Sequence, residues 1–137
     1  MQEKLDVSFI EISDALKRYP LPQVDLIIGI GRGGIIPACL VAHQLSVDLV
    51  LAEINYRNDE NQPRFEKPRF LKRLDLGKFK GRILIVDDVS VTGKTLSLLK
   101  DALKEWETIT LVFKGRADHV LLPHLNSCVN WPWKIEN

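Results

Sequence analysis

Apolar positions along this chain recur at two periods. Leu5, Phe9, Ile12 and Leu16 are spaced by four, three and four, which predicts one apolar face of a helix over residues 4–19. Pro20 and Pro22 end it. Residues 24–30 (VDLIIGI) form an apolar run of strand length. Residues 35–45 predict a helix with Pro37 in its first turn, where a missing N–H is tolerated. Residues 47–54 (VDLVLAEI) predict the next strand. Strand, helix, strand implies a parallel pair with a right-handed crossover. Residues 83–86 (ILIV) read as a strand buried on both faces and ending at Asp87 and Asp88. Thr92 is the predicted N-cap of a helix from Gly93 to about Glu105. Residues 108–113 (TITLVF) predict a strand, 116–122 a short extended segment, and 127–133 (SCVNWPW) close the pattern. The alternation predicts one α/β domain over 1–137, with a sheet of four or five parallel strands flanked by helices.

Composition narrows the function classes. A length of 137 residues suits a single core, and 45% hydrophobic with 27% charged residues is the balance of a globular protein. Lys+Arg 19 against Asp+Glu 18 leaves a net charge of +1, which argues against a nucleic-acid or membrane-surface role. No apolar run reaches the roughly 18 residues of a membrane span. Cys39, in an apolar helical stretch, reads as a small core residue, and Cys128 stands apart from it. This usage, with a start lacking a basic and apolar leader, points to a reducing, cytoplasmic setting.

Residues 55–73 break the pattern. They contain Pro63 and Pro68 and have no sustained period. Arg57, Arg64, Lys67, Arg69, Lys72 and Arg73 outnumber Asp59, Glu60 and Glu66. A loop this long is either a lid over an anionic ligand or a solvated insertion.

Two turns carry the candidate chemistry. Gly31-Arg32-Gly33-Gly34 follows a strand and opens a helix. Its glycines permit close approach to the backbone, and Arg32 adds a forked cation suited to phosphate. Phosphate loop and simple tight turn both fit. In the second, Asp87 and Asp88 stand between a buried strand and the hydroxyl-rich turn Ser90-Val91-Thr92-Gly93-Lys94-Thr95. The pair suits Mg²⁺, sugar hydroxyls or helix capping, and the turn offers N–H groups at a helix start. A nucleotide P-loop is excluded, because its first glycine would fall at Asp88.

IVDDVSVTGKTL resembles the phosphoribosyl diphosphate (PRPP) motif of type I phosphoribosyltransferases, and IGIGRGGIIPA resembles that family's pyrophosphate loop. The resemblance covers roughly residues 21–133 and is closest to short bacterial and archaeal xanthine-guanine or hypoxanthine enzymes. Those carry a lysine closing the strand after the motif helix, here Lys114, and a Pro-Trp element, here Pro132-Trp133. It implies a Rossmann-like parallel sheet with a flexible hood over residues 55–73. It also implies Mg²⁺-dependent transfer of phosphoribose from PRPP to a nitrogenous base, with a purine as the expected base, by a homodimer with no nucleic-acid or membrane partner.

The resemblance distributes the roles. Asp87 and Asp88 would hold the ribose hydroxyls, directly or through Mg²⁺. Residues 90–95 would cradle the 5′-phosphate. Gly31, Arg32, Gly33 and Gly34 would hold the pyrophosphate across a cis Gly31-Arg32 bond. Lys114 would donate to an exocyclic oxygen of the base, and Trp131 and Trp133 would stack on or frame it. Outside the resemblance, a solvated lysine and two core tryptophans are the alternatives. Two positions depart from the pattern. Val91 stands where purine enzymes carry a proton-accepting Asp, and Cys128 stands where the xanthine-guanine enzymes place the stacking aromatic. Val91 favours a second expectation, a PRPP- or nucleotide-binding regulatory protein on the same fold with catalysis lost. An unrelated phosphate-binding α/β module is the third.

Overall fold

The structure, a computed structural model, describes residues 4–55 and 69–134. In chain order the elements are β1 (Leu5–Asp6), α1 (Phe9–Arg18), β2 (Leu26–Gly31), α2 (Ile35–Leu45), β3 (Asp48–Asn55), β4 (Arg69–Phe70), β5 (Arg82–Ser90), α3 (Lys94–Ala102), β6 (Glu107–Gly115), β7 (His119–Val120) and β8 (Val129–Asn130). The main sheet has the order β4-β3-β2-β5-β6-β7, and β1 pairs with β8 in a separate two-stranded sheet. Five of the six main strands are parallel, and β4 is an antiparallel edge on β3.

The first helix is shorter than its periodicity suggests. Ser8 accepts a hydrogen bond from the Glu11 N–H at 3.1 Å, so the chain turns helical only at Phe9. Leu5 instead lies on β1, held to the Cys128 carbonyl at 2.8 Å. Ile12 and Leu16 point into the core, while Leu5 and Phe9 remain exposed. The α2 bounds match the prediction, and Pro37 lies buried in its first turn.

The β5 strand corrects the sequence reading most. It does not end at Asp87 but runs on to Ser90, because β6 continues beside it through the pairs Asp87↔Val112, Val89↔Lys114 and Ser90↔Gly115. The helix after it is also shorter than predicted. It starts at Lys94 with Gly93 as N-cap in the left-handed conformation (φ 78°), and it ends at Ala102. Thr92 is not the cap, although its hydroxyl accepts from the Lys94 N–H at 3.3 Å.

Both sheet faces are covered. Ile12 and Leu16 of α1, Val41 of α2, and Leu84, Val86, Phe113 and Trp131 form one core. Ile83, Ile85 and Val112 pack with Leu96, Leu99 and Leu103 on the other. Ile83 to Val86 are fully buried, each side chain contributing about 1.5–3 kcal/mol through removal from water. That double coverage explains the unbroken apolar run in the sequence. Most of the lid expected over residues 55–73 lies outside the described residues; of its C-terminal end, Arg69–Phe70 forms β4.

Candidate functional site

The sheet topology gathers the two turns. Strands β2 and β5 are neighbours and parallel, with Gly29 in register with Val86, so the turns that follow them leave the same edge of the sheet. Ligands in open parallel sheets bind at that carboxyl edge.

The first turn is tight. Gly34 N–H donates to the Ile30 carbonyl at 2.7 Å and Ile35 N–H to the Arg32 carbonyl at 3.1 Å. The Gly31-Arg32 peptide bond is cis. A side chain at Gly34 would meet the Val86 carbonyl at 2.6 Å, and one at Gly33 would meet the Asp88 carboxylate at 2.5 Å. Two glycines therefore bring the first turn directly onto the acidic end of β5. Arg32 lies exposed at its tip.

The acidic pair is organised by its own backbone. Asp88 N–H donates to Asp87 Oδ1 at 2.8 Å, and Val89 N–H donates to Asp88 Oδ1 at 2.7 Å. Asp87 is only 8% exposed. Burial pushes its carboxyl well above the ordinary carboxylate range, and the charge of Asp88 and a side-chain hydrogen bond to it push the same way. A backbone hydrogen bond at Asp88 and the charge of Lys134 act in the opposite direction without cancelling the effect.

The second turn leaves Ser90, which is buried, and exposes Val91, Thr92 and Lys94. Gly93 and Thr95 are half-buried. The turn is braced from β6. Gly115, at φ 112°, lies against the Ser90 backbone with no room for a side chain, and Arg116 N–H donates to the Ser90 carbonyl at 2.9 Å. Lys114, one residue earlier and half-buried, is in register with Val89. The loop after β6 is itself fixed by Asp118, which accepts from Thr110 N–H at 3.0 Å and Thr110 Oγ1 at 3.1 Å.

The tryptophans divide. Trp131 is buried at 3% exposure, its ring 6.0 Å from Phe113. Trp133 stacks on Trp131 at 5.2 Å and 4°, and is half-buried. Trp131 is thus a core residue, and Trp133 carries the accessible face of the pair. Sequence reading passed over Lys134, Gly115 and Arg116. Lys134 had only its place after Pro132-Trp133 to mark it, and Gly115 only its place at a strand end. A cavity of about 470 Å³ lies elsewhere, between α1 and the segment after β7, lined by Glu11, Asp14, Arg18, Tyr19, Leu122 and His124 among others. Cys39 is half-buried and Cys128 exposed, both as free thiols. Among the described residues, no helix is long and apolar enough to cross a membrane.

A family model described as phosphoribosyl transferase domain matches residues 10–117. A xanthine-guanine phosphoribosyltransferase from Idiomarina loihiensis is 25% identical over 128 residues, covering 88% of this chain and 78% of that protein. Another, from Nitratidesulfovibrio vulgaris, is 34% identical over 88 residues, covering 64% of this chain and 52% of that protein. The chain therefore spans about half the length of that second relative. The crystal structure of a purine phosphoribosyltransferase from Pyrococcus horikoshii Ot3 matches with a TM-score of 0.75 at 25% identity, covering 99% of this chain and 97% of that one.

Proposed function

Because this chain belongs to the phosphoribosyl transferase domain family, we propose that it transfers phosphoribose from PRPP to a nitrogenous base, a purine, giving a nucleoside monophosphate and pyrophosphate. The observation that carries this reading is the contact of Gly33 with the Asp88 carboxylate. It joins an arginine-bearing glycine turn and an acidic pair followed by an anion-binding turn into one continuous surface. PRPP needs that sequence of partners: a diphosphate holder, a sugar-hydroxyl acceptor and a 5′-phosphate cradle.

In this reading Arg32 and the amides of Gly33 and Gly34 hold the diphosphate. Asp87 and Asp88 accept from the ribose hydroxyls. The amides and hydroxyls of Ser90 to Thr95 take the 5′-phosphate, helped by the N-terminal end of α3. Lys114 donates to an exocyclic oxygen of the base, and Trp133 frames it. Keeping water from the reacting carbon matters, since water competes with the base.

The residues fit Mg²⁺. Asp87 is a buried carboxylate pressed against a second carboxylate, a pairing that a divalent cation relieves. Among the described residues no group of three or more potential ligands gathers, which suits an ion held by one or two carboxylates together with substrate phosphates. When bound, Mg²⁺ supplies positive charge for the diphosphate leaving group.

The partners in this reading are PRPP, a nucleobase and a second copy of the chain. The helix α2, which has no Asp, Glu, Lys or Arg and leaves Ile36, Cys39 and Leu40 half-buried, supports a dimer, and sedimentation velocity tests it. The two free thiols support a reducing, cytoplasmic location.

Val91, 65% exposed on the second turn, favours a second reading in which the protein binds PRPP or a nucleotide without turning it over. Incubation with PRPP, Mg²⁺ and a panel of purine and pyrimidine bases separates the two. Pyrophosphate release with a base supports the transferase. Tight PRPP binding by calorimetry without release from any base supports the regulator.

A further inference from the structure

Among the described residues, three rings of unequal depth surround Trp133. Trp131 lies face-on to it at 5.2 Å and 4°, Phe113 stands at 6.3 Å and 68°, and Phe9 at 6.1 Å and 52°. Trp131 and Phe113 belong to the core, whereas Phe9 keeps 49% of its surface in water. Phe9 is the first residue of α1, and its place is fixed from both sides. After it, the helix is capped by Ser8, which accepts from the Glu11 N–H at 3.1 Å. Before it, Leu5 N–H donates to the Cys128 carbonyl at 2.8 Å and Val7 N–H to the Asn130 carbonyl at 3.3 Å. The chain leading to Phe9 is therefore bonded to the chain leading to Trp131 and Trp133. A half-exposed phenyl at a helix start gains only part of its burial energy, and phenylalanine is a mediocre helix former. Its contact with Trp133 is the feature to explain. The tryptophans themselves stand at the base end of the site, because Phe113 lies between Val112, in register with Asp87, and Lys114.

We propose that Phe9 is a positioning residue for the nucleobase: its ring fixes Trp133, and so fixes the wall that frames the base. This rests on Trp133 framing the base in the proposed function. The reasoning is geometric. A parallel stack such as Trp131 on Trp133 resists tilting but permits sliding within the ring plane, and contacts at steep angles resist that sliding. Two such contacts exist here, one from buried Phe113 and one from Phe9. A loose wall loses freedom when a ligand settles against it, which subtracts from affinity. Loss of the Phe9 ring therefore weakens the hold on the base and leaves the diphosphate and 5′-phosphate contacts as they are.

The test uses the full chain with PRPP, Mg²⁺ and purine bases. It compares F9Y, F9L and F9A with I10A, which trims the 74%-exposed neighbour of Phe9. Thermal melts check that each variant folds. F9Y should match the wild type. F9L keeps apolar volume without a ring, and it and F9A should raise KM for the base about threefold to tenfold, the scale of one aromatic pair. Their kcat and KM for PRPP should stay unchanged. A second readout needs no turnover. The exciton circular dichroism of the stacked Trp131–Trp133 pair should weaken in F9L and F9A and persist in F9Y and I10A, with W133A as the blank. Trp106 packs with the core on the other face of the sheet and lies outside this signal. An exciton signal unchanged in both F9L and F9A, or a KM rise in I10A as large as in F9A, overturns the proposal. If W133A raises KM for the base and F9A does not, the positioning role alone fails. If W133A leaves that KM unchanged, the base-framing role of Trp133 fails and the proposal with it.

Discussion

The carboxylate of Asp88 occupies the space that any side chain at Gly33 would need: a Cβ there falls 2.5 Å from Oδ1 and 2.7 Å from Oδ2. The first turn and the acidic pair are therefore one mechanical unit. Gly33→Ala should push Asp88 aside and lower kcat/KM for PRPP on the order of 100-fold, the usual effect of a misplacement near 1 Å. Steady-state pyrophosphate release measures it. An unchanged kcat/KM would show that the two turns act separately.

Asp87→Asn should move stability and binding in opposite directions. The folded carboxyl has its pKa raised, first by burial. Its contribution to stability is then fully present below the unfolded value and is lost as pH rises through the folded one. Above the folded value the buried charge costs stability, so the neutral Asn should raise Tm there while weakening PRPP binding at least tenfold. Scanning calorimetry and titration calorimetry on the same samples check both signs. The gain in Tm should shrink on acidification.

Val91→Asp is the sharpest probe of the base. The side chain is 65% exposed on the second turn, so the change costs little stability. If a proton acceptor is what the turn lacks, purine transfer should rise, on the order of tenfold or more by general base catalysis. A flat response to every purine would count against that role for the position.

Trp131→Ala and Trp133→Ala should separate core from site. Trp131 is 3% exposed between Phe113 and Trp133, and its removal should cost about 3–5 kcal/mol and lower Tm on the order of 10 °C. Trp133→Ala should cost less stability and raise KM for the base. Thermal melts with base-dependent kinetics distinguish them.

Asp118 gives the fold an acid-side dependence. Burial pushes its carboxyl up, but hydrogen bonds from Thr110, then the charges of Lys100 and His119, outweigh it and hold the carboxyl below its ordinary value of 3.8. A lowered pKa stabilises above the unfolded value and is lost as pH falls through the folded one. Asp118→Asn should therefore lower Tm by a few degrees at pH 7, and the gap should close below about pH 3.8. A gap independent of pH would assign the effect to packing.

The fold was legible where one force dominates. ILIV at 83–86 announced a strand covered on both faces, and IIPACLVAHQL gave the α2 bounds without error, because burial alone decides these stretches. Boundaries set by polar detail were harder. Ser8 capping moved the start of α1, and the β6 partner carried β5 past two carboxylates that looked like a stop. Of the candidate site, the glycines and acids were legible as motifs. Their contact was not, because Gly33 and Asp88 are 55 positions apart and only the β2–β5 pairing brings them together. Lys134 was passed over because a lone lysine has no pattern; Trp131 and Trp133 stand beside it in the sequence, but Phe113 of β6, against which they pack, does not.

The short pairing of β1 with β8 has a consequence for synthesis. Leu5 lies opposite Val129 and Asp6 opposite Asn130, whose side-chain amide donates to Asp6 at 2.9 Å. The partner of residues 5 and 6 is thus made more than a hundred residues later. The strand pairs that bring the two turns together close over shorter separations and can form earlier, while the segment that carries Trp131 and Trp133 is fastened across the longest separation among the strand pairs of the described residues. In that order Gly33 and Asp88 meet before the two stacked tryptophans dock.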